Sequence, residues 1–192
     1  MEKKHFIAFL LFTLSFCVNM SAQTIKGVEN DSIITWDKSR QLVWDDFKDA
    51  VDWNDPIGNA MTSYKIVVVP ENVLVDEEDH IQNHEKLSVV ANFYCYHSWV
   101  NKRTENLLRH EQTHFDIAEL FARKLRKRFE TLKSQGEKRF SVYYSEFKEY
   151  SALCREMQKK YDRETQHGND FQANDTWKEL IQKELGSFRD YE

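Results

Sequence analysis

The chain has 192 residues, of which 31% are charged and 41% hydrophobic, with only 2 prolines and 5 glycines. This composition is typical of one globular domain and excludes a disordered or fibrous protein. The formal net charge of −5 argues against nucleic acid as a partner, because nucleic-acid binding needs a dominant basic surface.

The first 22 residues differ in composition from the rest of the chain. Two lysines precede an apolar run from Phe6 to Val18, and small and polar residues follow it. This order predicts a secretory signal peptide, residues 1–22, with cleavage after Ala22. The apolar run is too short for a comfortable membrane span. We therefore expect an exported protein, periplasmic or secreted, and not an integral membrane protein.

The three cysteines bear on processing and redox state. Phe16 precedes Cys17, where a lipoprotein signal needs a small residue, so lipid anchoring at Cys17 is not expected. Cys95 and Cys154 lie in the mature chain. In an exported protein they could form a disulfide, or each could be a buried thiol, and the sequence leaves both open.

Strand-type patterns predominate from Ile25 to about Val100. Two short β-rich runs lie within SIITWDKSRQLVWDDF, residues 32–47, and further strands are predicted in SYKIVVV, residues 63–69, and KLSVVANFYCYHSWV, residues 86–100. Helical patterns follow. Strands first and helices afterwards predict an α+β fold, with a small, mostly antiparallel sheet in a single domain of residues 23–192.

Three helices are predicted in the second half of the chain, near residues 104–134, about 145–166 and around 176–185. At about 100° per residue, the first of them carries an apolar stripe on one face. His110, Glu111 and His114 fall inside that stripe. Burying these polar groups together is costly unless something satisfies them.

A zinc ion would satisfy the two histidines. Side chains four residues apart on a helix point the same way, so His110 and His114 can reach one metal. Glu111 lies beside that metal and is suited to accept a proton from a zinc-bound water, as in the His-Glu-x-x-His motif of metallopeptidases. The alternative is a pair of core histidines without a metal.

A zinc site needs a third protein ligand, and the downstream acids of the same helix point away from the histidines. The best source is YDRETQHG, residues 161–168, which ends the second predicted helix. It offers Asp162, Glu164 and His167. Glu164 continues the apolar stripe of that helix, whereas periodicity does not fix the direction of His167, so the choice stays open.

Several segments form a recognisable set: LVWDDFK at 42–48, NAMTSY at 59–64, HSWV at 97–100, LLRHEQTHFDIAE at 107–119 and YDRETQHG at 161–168, with Gln172 and Trp177 after it. Together they resemble the bacterial exported proteins of domain of unknown function 922, predicted zinc-dependent peptidases of the His-Glu-x-x-His clan. The resemblance implies a zincin-like α+β domain with His110 and His114 as ligands and Glu111 as base. It also favours His167 over Glu164 as the third ligand.

The clan also suggests a role for the strand before the zinc helix. An edge strand in such peptidases often binds the substrate backbone by β-addition. Residues 88–100 are the candidate here, and an ordinary core strand is the alternative. Tyr161 could stabilise an oxyanion, or it could be a core tyrosine.

The sequence thus predicts an exported zinc metallohydrolase, a peptidase that acts on peptide or protein substrates. Its Zn²⁺ would be held by His110, His114 and His167, with Glu111 as general base. An alternative from another class is an envelope binding or scaffold domain that keeps a metal site without turnover.

Overall fold

The computed structural model describes residues 6–9, 32–51, 53 and 58–192. The strands are β1 (Phe6–Phe9), β2 (Ile33–Thr35), β3 (Ala60–Met61), β4 (Tyr64–Val69), β5 (Asn72–Val75), β6 (Ser88–Tyr94) and β7 (Trp99–Val100). The helices are α1 (Glu105–Ser134), α2 (Phe140–Thr165) and α3 (Phe171–Ser187). The predicted α+β class with a small antiparallel sheet is confirmed. Apart from β1, the predicted signal peptide lies outside the described residues, and so does Cys17. The signal peptide and the absence of lipid anchoring at Cys17 therefore stay predictions.

The main sheet has three antiparallel strands in the order β2-β6-β4. Alternate residues of β6 are buried, Val89, Ala91 and Phe93, and the Phe93 ring lies 5.9 Å from that of Phe115 on α1. This alternation is the pattern of a strand with one face on the core. Because β6 is central, the expectation that residues 88–100 form an edge strand is wrong, and the core-strand alternative holds.

Two smaller strand pairs accompany this sheet. β3 pairs with β7 and places Ala60 opposite Val100, and β1 pairs with β5. Since β7 leads directly into α1, the first pair holds the segment around β3 beside the start of that helix.

The second β-rich run of residues 32–47 does not form a strand. Residues Trp44–Asp46 form a short 3₁₀ turn instead. The Asp46 carboxylate accepts hydrogen bonds from the Val43 N–H at 2.7 Å and from the Arg40 guanidinium at 2.7 and 2.8 Å. Such side-chain bonds to nearby backbone compete with strand pairing, and a hydrophobicity pattern does not register them.

Helix α1 forms the centre of the molecule. The Thr104 side chain caps it by accepting from the Leu107 N–H at 3.2 Å, and Gly136, with φ of 72°, follows its end. The predicted boundaries of this helix are therefore confirmed. α1 packs against the sheet, α2 and α3. Its middle turns are buried on several sides, and Ile117 and Leu120 are fully buried.

The other two helices are longer than the sequence pattern indicated. α2 begins at Phe140, and α3 begins at Phe171 behind Asp170, whose side chain accepts from the Ala173 N–H at 3.0 Å. None of the helices in the described part of the chain combines the length and apolar character needed to cross a bilayer.

Cys95 and Cys154 are both free and buried, so the buried-thiol alternative holds. Burial raises the pKa of the Cys95 thiol, and it raises the pKa of Cys154 to about 12.

We expect two free thiols in denatured protein kept without reductant, and slow alkylation of both in the native protein at pH 8, because the thiolate is the reactive form. Thiol counting with and without denaturant measures this. Loss of both thiols under denaturing conditions would contradict the structure.

Candidate metal centre

His110 and His114 lie one turn apart on α1 and face the end of α2. Their Nε2 atoms are 3.1 Å apart, and Asp162 Oδ1 lies 3.0 Å from His114 Nε2 and 3.3 Å from His110 Nε2. Ligand atoms bound tetrahedrally to zinc at about 2.0–2.1 Å are roughly 3.3 Å from one another. The three atoms therefore have the spacing of three corners of a tetrahedral metal site.

Two side-chain amides set the orientation of the imidazole rings. His114 Nδ1 contacts Gln158 Oε1, and the Gln158 Nε2 group donates to the His114 carbonyl at 2.9 Å, which fixes which way the amide faces. His110 Nδ1 lies 3.3 Å from Asn174 Oδ1. Each Nδ1–H therefore donates to an amide oxygen, so the Nε2 lone pairs point at the shared centre. Outer contacts of this kind orient metal-ligating histidines.

Three hydrogen-bond acceptors thus converge, and they require a positive charge between them. Burial opposes protonation of His114, yet the hydrogen bond and charge of Asp162 outweigh it and raise the pKa of His114. Burial likewise opposes ionisation of Asp162, but the two histidines hold its pKa well below the usual range. A proton on His114 or a metal ion can supply the missing charge. The spacing of 3.0–3.3 Å suits either, because it is the length of a hydrogen bond as well as the edge of a zinc tetrahedron.

Glu111 lies beside this cluster without belonging to it. Within the described ranges, the only group of metal-ligand atoms that converge within 4.8 Å is formed by His110, His114 and Asp162. Glu111 is 3% exposed and lines, with both histidines, an open cleft of about 430 Å³. Residues 58–62, around β3, also line the cleft, and the Thr62 hydroxyl group lies 3.4 Å from the Glu111 carbonyl oxygen. The predicted base is therefore next to the candidate ligands and in contact with the same cleft.

The two ligand candidates that the sequence weighed are placed differently. His167 lines the cleft with a side chain that is 44% exposed, and its Nδ1 lies 3.6 Å from Asp162 Oδ1. Glu164 is turned elsewhere, since Trp177 Nε1 donates to its Oε2 at 2.9 Å. Asp162, which the sequence offered but did not favour, is the one that meets the two histidine nitrogens.

Tyr161 is a core residue behind the site. It is fully buried, and its ring stacks on His110 with centroids 4.6 Å apart. Its hydroxyl group donates to Asn174 Oδ1. Tyr161 is not among the residues that line the cleft, so the core-tyrosine alternative holds over the oxyanion role.

The turn after α2 closes tightly on His110. Gln166, His167 and Gly168 all have positive φ, and the Gly168 carbonyl accepts from Asn106 Nδ2 at 2.6 Å. A Cβ added to Gly168 would lie 2.9 Å from His110 Cγ. In the sequence this glycine is only the last residue of YDRETQHG, the segment that ends the second predicted helix. The structure adds that the backbone passes too close to the imidazole for a side chain.

Comparison with protein families gives a match over part of the chain. Residues 96–168 match a family of bacterial proteins of unknown function, DUF922. The matched segment includes α1, α2 and the turn after α2, so it carries every candidate ligand and supports the family resemblance over that part of the chain. Neither a curated protein nor a solved structure matches the chain significantly.

Gly168→Ala should destabilise the protein more than Gly136→Ala. Both glycines have positive φ, so each alanine carries a backbone cost of about 1–2 kcal/mol. At position 136 the new Cβ meets nothing within 4 Å, whereas at position 168 it meets the His110 ring. We expect a further loss of about 1–3 kcal/mol from this overpacking. Urea unfolding of both variants with a chelator present measures the difference. Equal losses would mean that His110 is not held against the turn.

Proposed function

We propose that this protein is an exported zinc metallohydrolase, a peptidase whose metal is held by His110, His114 and Asp162 and whose general base is Glu111. One observation carries the proposal. Three acceptor atoms lie 3.0–3.3 Å apart beside an open cleft that also contains a buried glutamate. The predicted signal peptide, residues 1–22, is the reason for placing the activity in the periplasm or outside the cell.

The donor set fits zinc better than other common divalent ions. Two imidazoles and one carboxylate form a three-ligand set typical of catalytic zinc sites, which keep one position open. Magnesium and calcium prefer oxygen ligands alone. The Nδ1 contacts of both histidines to amide oxygens match the outer contacts that support zinc-bound imidazoles. His167, favoured by the family resemblance, is the alternative third ligand.

The proposed chemistry divides between the metal and the chain. When bound, zinc supplies Lewis-acid activation of water and of a carbonyl group. The Glu111 carboxylate would take a proton from the attacking water and pass it to the leaving amine. The cleft is open and has one wall made of the short β3 segment, so an extended peptide is a suitable substrate.

Zinc analysis tests the ligand set. We expect about one zinc per chain in protein purified without chelators. Asp162→Ala should lower zinc affinity by far more than the 10–100-fold typical of an outer contact. Glu164→Ala, two residues along the same helix and bonded to Trp177 instead, is the matched control and should bind zinc unchanged.

His167→Ala decides between the two third ligands. If it strips the metal while Asp162→Ala binds zinc as the wild type does, His167 is the ligand and Asp162 is not. Failure of the wild type to take up added zinc would contradict the metal site altogether.

Glu111→Gln tests turnover separately from metal binding. The side chain is not among the converging ligand atoms, so the variant should keep its zinc and its free energy of unfolding within about 1 kcal/mol. Hydrolysis of an unfolded protein substrate should fall by about 100-fold or more, since a positioned base contributes 10²–10⁴-fold. If the wild type and the variant are equally inert on a broad peptide library, the scaffold alternative is favoured over the peptidase.

A further inference from the structure

Two exposed basic side chains line the wall of the cleft that α2 forms. Arg155 and Lys159 are one helical turn apart and border the same cleft as Gln158 and Asp162. At about 100° per residue, Arg155 and Asp162 differ in direction by only about 20°. The basic pair therefore lies on the same face of α2 as Asp162. Arg155 is about two helical turns away from Asp162, and Lys159 is about one turn away.

The charge of this pair is not neutralised inside the cleft. Among the described residues, no carboxylate lies within ion-pair distance of Arg155, and Lys159 contacts only Glu156, at 3.1 Å. The Lys159 and Glu156 side chains are 64% and 69% exposed, and such an exposed pair holds a lysine weakly. Residues 58–62, which also line the cleft, have no charged side chain.

The acids of the cleft do not balance the pair either. Asp162 faces the two histidine nitrogens, at 3.0 and 3.3 Å. Glu111 is buried and lines the cleft beside the same histidines. The outer part of the α2 wall is therefore positive where it meets solvent.

We propose that Arg155 and Lys159 select peptides that carry a carboxylate close to the bond presented to Glu111. The inference rests on the proposed peptidase function and names its substrate class. An arginine guanidinium binds a carboxylate through two parallel hydrogen bonds, and a neighbouring ammonium adds to the attraction. The carboxylate is that of an Asp or Glu side chain, or the C-terminal carboxylate of the peptide.

The helix also indicates where that carboxylate lies. Lys159 and Arg155 precede Asp162 by three and seven residues, or about 4.5 and 10.5 Å of helix rise. An extended peptide advances about 3.3 Å per residue. For a peptide that runs along α2, the carboxylate is therefore expected about one to three residues from the bond that is cleaved.

Peptide binding to zinc-loaded Glu111→Gln protein tests the selection without turnover. The probes are four fluorescent peptides of one length. Three have capped ends and carry Glu, Gln or Lys at the chosen positions, and the fourth is the Gln peptide with a free C-terminus. We expect the Glu peptide to bind at least about fivefold more tightly than the Gln peptide, and the Lys peptide to bind most weakly. The difference should shrink as salt is added. Tighter binding of the free C-terminus alone would assign the terminal carboxylate as the source.

Variants of the pair then locate the selection. Arg155→Glu combined with Lys159→Glu should reverse the order of the Glu and Lys peptides, with zinc content unchanged. Lys160→Gln is the matched control, because Lys160 neighbours the pair but lies outside the cleft lining and contacts Glu164 at 3.8 Å. It should keep the preference for Glu.

The outcomes separate this inference from the proposed function. Equal binding of the capped Glu, Gln and Lys peptides without a gain from the free C-terminus, or no binding of any peptide, would overturn the selection. Wild-type protein that cleaves peptides without regard to charge would overturn it too, while the peptidase function stands. Selective binding by a protein that cleaves nothing would leave the selection standing and refute the peptidase.

Discussion

Two histidine nitrogens and one carboxylate oxygen meet on the buried side of α1 with their acceptor lone pairs facing one another. Left alone, these atoms would repel each other, and the side chains would rotate apart. The surrounding structure prevents this. Amide oxygens hold the far nitrogens of both rings, a tyrosine ring stacks on one of them, and the backbone at Gly168 lies against it. The fold thus maintains an arrangement that only a positive charge at its centre makes favourable.

The other two buried acids of α1 are arranged differently. Asp116 is buried, but it accepts hydrogen bonds from three side chains, those of Trp36, Gln112 and Gln182. Glu119 is buried between two arginine side chains. Both acids are satisfied within the protein, so neither needs a ligand. Glu111 differs because it borders an open cleft. These surroundings distinguish the candidate catalytic carboxylate from the two structural carboxylates, Asp116 and Glu119, on the same helix.

The sequence predicted α1 and the histidine pair well because the signals for them are local. Thr104 and Gly136 mark the helix boundaries, and the spacing of the histidines fixes their common face. The position of β6 could not be predicted in this way. Whether a strand is central depends on partners distant in the chain, here β2 and β4. The alternation of apolar and polar residues along the strand is the same at the centre and at the edge of a sheet.

The third side chain of the site shows a second limit. Helical periodicity gives the direction of Asp162 and Glu164 relative to each other, but not the rotation of α2 against α1. That rotation is set by packing, with Tyr161 fully buried against His110. It brings Asp162 to the histidines and leaves Glu164 with Trp177. The positive φ at His167 is likewise a property of the turn and of its contacts.

Helix α3 contributes no candidate ligand, yet Asn174 on this helix holds the far nitrogen of His110 and also receives the Tyr161 hydroxyl group. The segment that matches the family model ends at residue 168. A fragment trimmed to that recognisable segment would contain all the ligand candidates and would still leave His110 without the partner that sets its tautomer. The smallest unit able to assemble the site is therefore longer than the unit that sequence comparison detects, and domain boundaries for expression or grafting belong after α3.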